Sequence, residues 1–91
     1  MQKIRTTVKI AGREYTIAGY DPSEHVERVA QQVDRRMAEL GAATGLPPAQ
    51  LAVLTAVNAV DDMIKSRDEI RRLRRENEAL KSALEAASHE A

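Results

Sequence analysis

The feature that most constrains this chain is a stripe in its second half, where Ile70, Leu73, Asn77, Leu80, Leu84 and Ala87 recur at alternating steps of three and four. That spacing is the a/d seam of a coiled coil. Carried backwards at the same period, the seam takes in Ser66, Met63, Ala59 and Ala56. It predicts one helix of ~40 residues from Pro48 onward, ~60 Å long at the helical rise. Everything before Pro48 is needed to build a small head, so the facing helix must come from another copy or another protein.

Flanking charges choose the direction of pairing. With Ile70, Asn77 and Leu84 at a and Leu73, Leu80 and Ala87 at d, Glu69 and Glu76 fall at g and Arg67, Arg74 and Lys81 at e. In a parallel pair Glu69 meets Arg74 of a second copy and Glu76 meets its Lys81, each twice by symmetry; antiparallel pairing would set like charges together. One polar a residue, Asn77, also suits a parallel two-stranded register.

The chain has 91 residues. With the long helix set aside, the rest is near the lower limit for a self-sufficient core, and oligomerisation is expected to supply the missing burial. Cysteine is absent, so disulfides and thiolate metal sites are excluded, and the expected compartment is the cytoplasm. Lys plus Arg and Asp plus Glu both number 14, which removes any global drive toward nucleic acid or anionic membrane. Tyr15 and Tyr20 are too few aromatics for base stacking. No apolar run follows Met1-Gln2-Lys3-Ile4-Arg5, so neither a signal peptide nor a membrane span is expected.

Taken in order, Ile4, Thr6, Val8 and Ile10 alternate with polar residues, and the alternation resumes at Tyr15 and Ile17 after Ala11-Gly12-Arg13-Glu14. Two strands around a type II′ turn led by Gly12 are expected, with the face of Val8, Ile10, Tyr15 and Ile17 covered by a helix. Asp21-Pro22-Ser23-Glu24 reads as a helix start, with Asp21 as N-cap, Pro22 at N1 and Glu24 closing a capping box. That helix buries Val26, Val29, Ala30, Val33, Met37 and Leu40 and closes at Gly41, before a small loop, Gly41 to Gly45. Pro48 then opens the second helix. Its first turns carry Ala52, Val53, Ala56, Val57, Ala59, Val60, Met63 and Ile64 on ~160° of circumference, wide enough to meet the head on one side and a partner helix on the other. Leu51 and Leu54 lie outside this arc, either covered by the hairpin or forming an exposed contact. The fold class is thus α+β, with a head over residues 1–64 and a coiled coil over 65–91.

No catalytic constellation, cofactor site or metal site is present: there is no nucleophile beside a histidine and no phosphate-binding glycine loop, and His25 and His89 lack ligand-spaced carboxylates. Arg71, Arg72, Arg74 and Arg75 are interleaved with Glu69, Glu76 and Glu78, the pattern of a solvated coiled-coil face. Arg28 and Arg35 share an outward face of the first helix, each four residues from an acid, Glu24 and Glu39.

The turn Gly12-Arg13, the opening Asp21-Pro22-Ser23-Glu24-His25, the pattern Val29-Ala30, Val33-Asp34, Met37, and above all the run from Leu51 to Asp62 (LAVLTAVNAVDD) together resemble the ZapA family over residues 5 to 64. Members of that family are bacterial cell-division factors that bind the tubulin-like GTPase FtsZ. The resemblance implies a homodimer with paired heads and coils, association of two dimers into a homotetramer, and cross-linking of FtsZ protofilaments at the division site. It implies that Arg13 and the basic residues Arg28, Arg35 and Arg36 meet FtsZ. Self-association would rest on Ala56, Ala59, Met63, Ile70, Leu73, Asn77, Leu80 and Leu84. Some family members carry basic residues in the loop after the first helix; here it is Gly41-Ala42-Ala43-Thr44-Gly45.

The expected function is a non-enzymatic cell-division regulator that bundles FtsZ filaments, the alternative being a coiled-coil adaptor for a different protein. Asn77→Leu should raise the midpoint of thermal unfolding while broadening the distribution of oligomers seen by sedimentation, since a buried polar a residue exchanges stability for register. A lower midpoint would show that Asn77 makes some other required contact.

Overall fold

The computed structural model describes residues 2–90, apart from the side chain of Glu90. Met1 and Ala91, the outer ends of the two expected domains, lie outside the described residues. The chain forms β1 (Ile4–Ile10), β2 (Arg13–Gly19), α1 (Ser23–Thr44) and α2 (Pro48–Glu90). Its contacts fall into two compact units, one ending at Val57 and one beginning at Asn58.

In the first unit, β1 and β2 pair antiparallel with Ile10 opposite Arg13, so Ala11 and Gly12 are the two central residues of the turn. Both have positive φ, 53° and 80°. That is a type I′ turn, not the expected type II′, and Gly12 occupies its second position. A type I′ turn matches the twist of the flanking strands but holds a residue with a Cβ, Ala11, in the left-handed region.

Residues directly opposite share a face. Ile4, Thr6, Val8 and Ile10 therefore lie beside Gly19, Ile17, Tyr15 and Arg13. The helix α1 packs against β1, with Ala30 and Met37 buried; Val26, Val33 and Leu40 of the expected stripe are half-buried and Val29 is 49% exposed, so the buried stripe is narrower than its spacing predicts. Thr6 and Val8 are buried, whereas Tyr15 and Ile17 opposite them remain 48% and 41% exposed. The expectation that one helix covers the whole apolar face is thus corrected: the helix lies over β1, and the β2 half of the face is open. Thr6, a polar residue in this small core, is satisfied by a hydroxyl–hydroxyl hydrogen bond to Ser23, 2.9 Å, which ties the strand to the first turn of α1.

The start of α1 falls one residue later than the sequence suggests. Pro22 is the N-cap, with φ −59° and ψ 146°, and no side chain caps the end. The Pro22 carbonyl accepts from the amides of His25 and Val26. Asp21 and Glu24 therefore form no capping box. Glu24 still lies in the first turn, where a carboxylate favours the helix dipole.

The end of α1 is also displaced. Gly41 does not close the helix, which continues through Ala42, Ala43 and Thr44 to a left-handed Gly45, φ 68°, whose amide donates to the Gly41 carbonyl at 2.9 Å. Ala42 and Ala43 are strong helix formers. The stop comes only where Leu46 precedes Pro47, since a residue before proline is disfavoured in the helical region. Thr44 secures the end by donating its hydroxyl to the Leu40 carbonyl and accepting from the Leu46 amide. Gly41 instead provides close approach: a Cβ there would lie 3.1 Å from Leu51 Cδ2.

That approach seats the start of α2. Leu51 and Thr55 are buried and Leu54 half-buried, with the Thr55 hydroxyl donating to the Leu51 carbonyl at 2.8 Å. Leu51 is covered at the Gly41 end of α1, not by the hairpin. Ala52, Val53, Ala56 and Val57 are exposed. The residues facing the head are the ones the sequence placed outside the apolar arc, and the arc residues of these first turns are exposed.

Ala11→Asn should stabilise the protein by ~0.5–1 kcal/mol, because Asn tolerates positive φ where Ala does not and Asn-Gly is the favoured type I′ pair. Urea denaturation at matched protein concentration, which removes the contribution of association, measures this. A lower midpoint would mean that the turn is not type I′.

Candidate surfaces for self-association and partner binding

The α2 stripe is built by helical spacing alone. Ala56 and Ala59 are exposed, as are Met63, Ile70, Leu73, Leu80 and Leu84, which are 43% to 68% accessible. Asn77 lies exposed in the same stripe. So regular a row of uncovered apolar side chains is the signature of a helix awaiting another helix. Every residue from Ala59 to His89 is exposed.

Charges beside the stripe pair along the helix. The Arg72 guanidinium donates to Glu69 and lies 3.6 Å from Glu76, so both g carboxylates are engaged by one c-position arginine. The bond to Glu69 raises the Arg72 pKa, and a bond from the Lys65 ammonium to Asp61, 2.8 Å, raises that of Lys65. These pairs are solvent-exposed and stabilise a solvated helix only slightly.

Of the four arginines implicated by resemblance, Arg13 begins β2 at the hairpin tip, and Arg28 and Arg35 lie exposed two turns apart on one face of α1. Arg35 Nε donates to Glu39 at 3.2 Å. Arg36 is different. It is half-buried and engaged, and ~100° round the helix from Arg35, so α1 does not present the three as one patch.

A residue that sequence reasoning gave no role organises this region. The Ala11 amide donates to Asp34 Oδ1 at 2.8 Å, anchoring the turn to the middle of α1, one residue before Arg35. The bond locks the strained Ala11 and sets where Arg13 stands. Its partners are 23 residues apart, so no local spacing signals it. An open groove of about 290 Å³ runs between β1 and α1, lined by Thr7, Val8, Lys9, Glu27, Ala30 and Gln31. Among the described residues no three His, Asp or Glu side chains are placed to hold a metal ion. No single helix among them is long and apolar enough to cross a membrane.

A hairpin-and-helix head with an undersized core, joined to a helix bearing an uncovered heptad stripe, defines a self-associating coiled-coil protein. The family model for cell division protein ZapA matches residues 6–91. The chain belongs to the ZapA family. It is 48% identical over 73 residues to the cell division protein ZapA of Halalkalibacterium halodurans, covering 79% of this chain and 80% of that protein. It is 47% identical to the protein of that name from a Geobacillus species, covering 79% and 84%. Among solved structures it resembles a ZapA mutant dimer from Geobacillus stearothermophilus, with TM-score 0.67 and 38% identity over 84% of this chain and 90% of that one.

Asp34→Ala should cost ~1 kcal/mol, the worth of an exposed charge-assisted hydrogen bond. It should also accelerate amide exchange at Ala11 and in the flanking turn, leaving α2 unchanged. Unaltered exchange at Ala11 would show that the carboxylate does not hold the tip.

Proposed function

We propose that this protein is a non-enzymatic cell-division regulator that acts in the cytoplasm at the division site, binding FtsZ through its heads and bundling FtsZ protofilaments through its own oligomers. The observation that carries this reading is membership of the ZapA family across residues 6–91. The exposed α2 stripe supports it, because a self-paired helix gives each particle two or more heads. A particle with several weak heads binds a polymer by avidity, since each contact after the first is intramolecular. Two parallel dimers joined into a tetramer would set heads at both ends of the particle and so reach between filaments.

The contact on the head is assigned to Arg13, with Arg28 and Arg35 beside it; these are exposed cations suited to an acidic partner surface. Arg36, half-buried and already engaged, is the fourth residue assigned to this contact and lies ~100° round α1 from Arg35.

Sedimentation of GTP-assembled FtsZ should carry this protein into the pellet and increase light scattering. Arg13→Glu should weaken that co-sedimentation by ~10-fold or more, the scale of one reversed rim charge, with no change in helical content or mass in solution. Full binding by the variant would remove Arg13 from the contact, and no pelleting of the unaltered protein would favour an adaptor for a different partner.

A further inference from the structure

We propose that the unpaired edge of β1 is a docking site for an extended acidic peptide segment of another protein, which adds to the hairpin as a third, antiparallel strand. The inference rests neither on FtsZ binding nor on self-association.

The edge follows from the register. Ile10 and Arg13 flank the two-residue turn and so exchange both backbone hydrogen bonds. Alternation then makes Val8–Tyr15, Thr6–Ile17 and Ile4–Gly19 the other bonded pairs, and turns the amides and carbonyls of Arg5, Thr7 and Lys9 away from β2. A side-chain contact fits this parity: the Thr7 and Thr16 hydroxyls meet at 3.3 Å, as the closer approach of a pair without ladder bonds allows. The sheet has two strands, and among the described residues no other group bonds to the outward backbone of Arg5, Thr7 or Lys9.

The open groove between β1 and α1 lies along that edge. It is lined by Thr7, Val8 and Lys9 in succession, although Val8 is buried toward α1 and its two neighbours point to the opposite face. Consecutive residues are presented together only along the side of a strand, and with no β2 residue in the lining, that side is the unpaired one. Val8 and Ala30, 6% and 4% exposed, form an apolar floor, and Glu27 and Gln31, about one turn apart on α1, form the far rim. The helix thus underlies the place that a third strand would take. The free edge of β2 has no such support, because α1 packs against β1.

Charge names the occupant. On the outward face Arg5 and Lys9 stand exposed on either side of Thr7. Neither cation forms an ion pair with any described residue, not even Lys9 with Glu14 directly opposite. A second copy of β1 laid antiparallel about Thr7 would set Arg5 against Lys9 at both ends, and opposed like charges destabilise a sheet. Edge cations of this kind block self-pairing. A strand carrying carboxylates at the spacing of Arg5 and Lys9 meets both cations instead, while its intervening side chains, small and apolar, turn down onto Val8 and Ala30. Main-chain bonds then supply affinity, and the two charge pairs supply specificity.

The probe is the capped peptide Glu-Val-Thr-Val-Glu, titrated into the full isotope-labelled chain and followed by NMR. Its Thr falls opposite Thr7 and its two Glu opposite Lys9 and Arg5, so the amides of these three residues should shift most. Lys-Val-Thr-Val-Lys should bind ~10-fold more weakly. Arg5→Glu combined with Lys9→Glu, both at exposed sites, should reverse the order of the two peptides, a result that a misfolded chain does not give. N-methylation of the peptide's Thr, whose amide donates to the Thr7 carbonyl, should abolish binding. N-methylation of the Val that follows, whose amide points away, should not. Equal binding of the two peptides, no reversal in the folded variant, or any other methylation pattern overturns the proposal. So does an apparent affinity that falls as protein concentration rises, which would give the edge to a second copy.

Discussion

The protein depends on a mismatch between the apolar surface it carries and the apolar surface it can cover alone. The hydrophobic effect acts on area removed from water, and this chain removes little: its core is a few side chains between β1, α1 and the first turns of α2. The rest lies exposed in rows along α2 and across β2. Burial gained on self-association adds to what the head makes alone, and stability then depends on concentration as well as on contacts.

Within the head, a few specific bonds do what packing cannot. The Thr6–Ser23 hydroxyl pair makes a polar residue acceptable beneath the sheet, and the Asp34 carboxylate holds a turn whose Ala11 is in an unfavourable conformation. Both join the hairpin to α1. Gly41 works differently, giving up helix propensity so that Leu51 can approach the α1 backbone. These contacts orient β2, and with it Arg13, relative to the cationic face formed by Arg28 and Arg35.

Charge has a secondary part. The exposed pairs along α2, such as Arg72 with Glu69 and Glu76, hold the helix soluble while its stripe awaits a partner. Their carboxylates are those the heptad pattern assigns to pairing between chains, so association would exchange partners within a set of nearly equivalent ion pairs. Such an exchange selects register and direction more than it adds affinity.

The sequence by itself determined the strand pair, both helices and the uncovered stripe, because each is written in a short-range period: two for the strands, 3.5 for the seam, with Gly12 and Pro48 as punctuation. The residues from Leu51 to Asp62 also carried the family. Tertiary structure alone decided the rest. Which half of the hairpin is covered depends on where α1 lies, and no alternation along a strand records that. Gly41 reads as a terminator until the approach of Leu51 shows why glycine is there, and the actual stop is set by Pro47 and the left-handed Gly45. Asp34 meets Ala11 across 23 residues of chain, and Arg36 parts from Arg35 because one step along a helix turns the side chain away. Local periods fix which elements form, since their energetics are set by neighbours in sequence; which faces meet is settled by contacts between residues the sequence holds far apart.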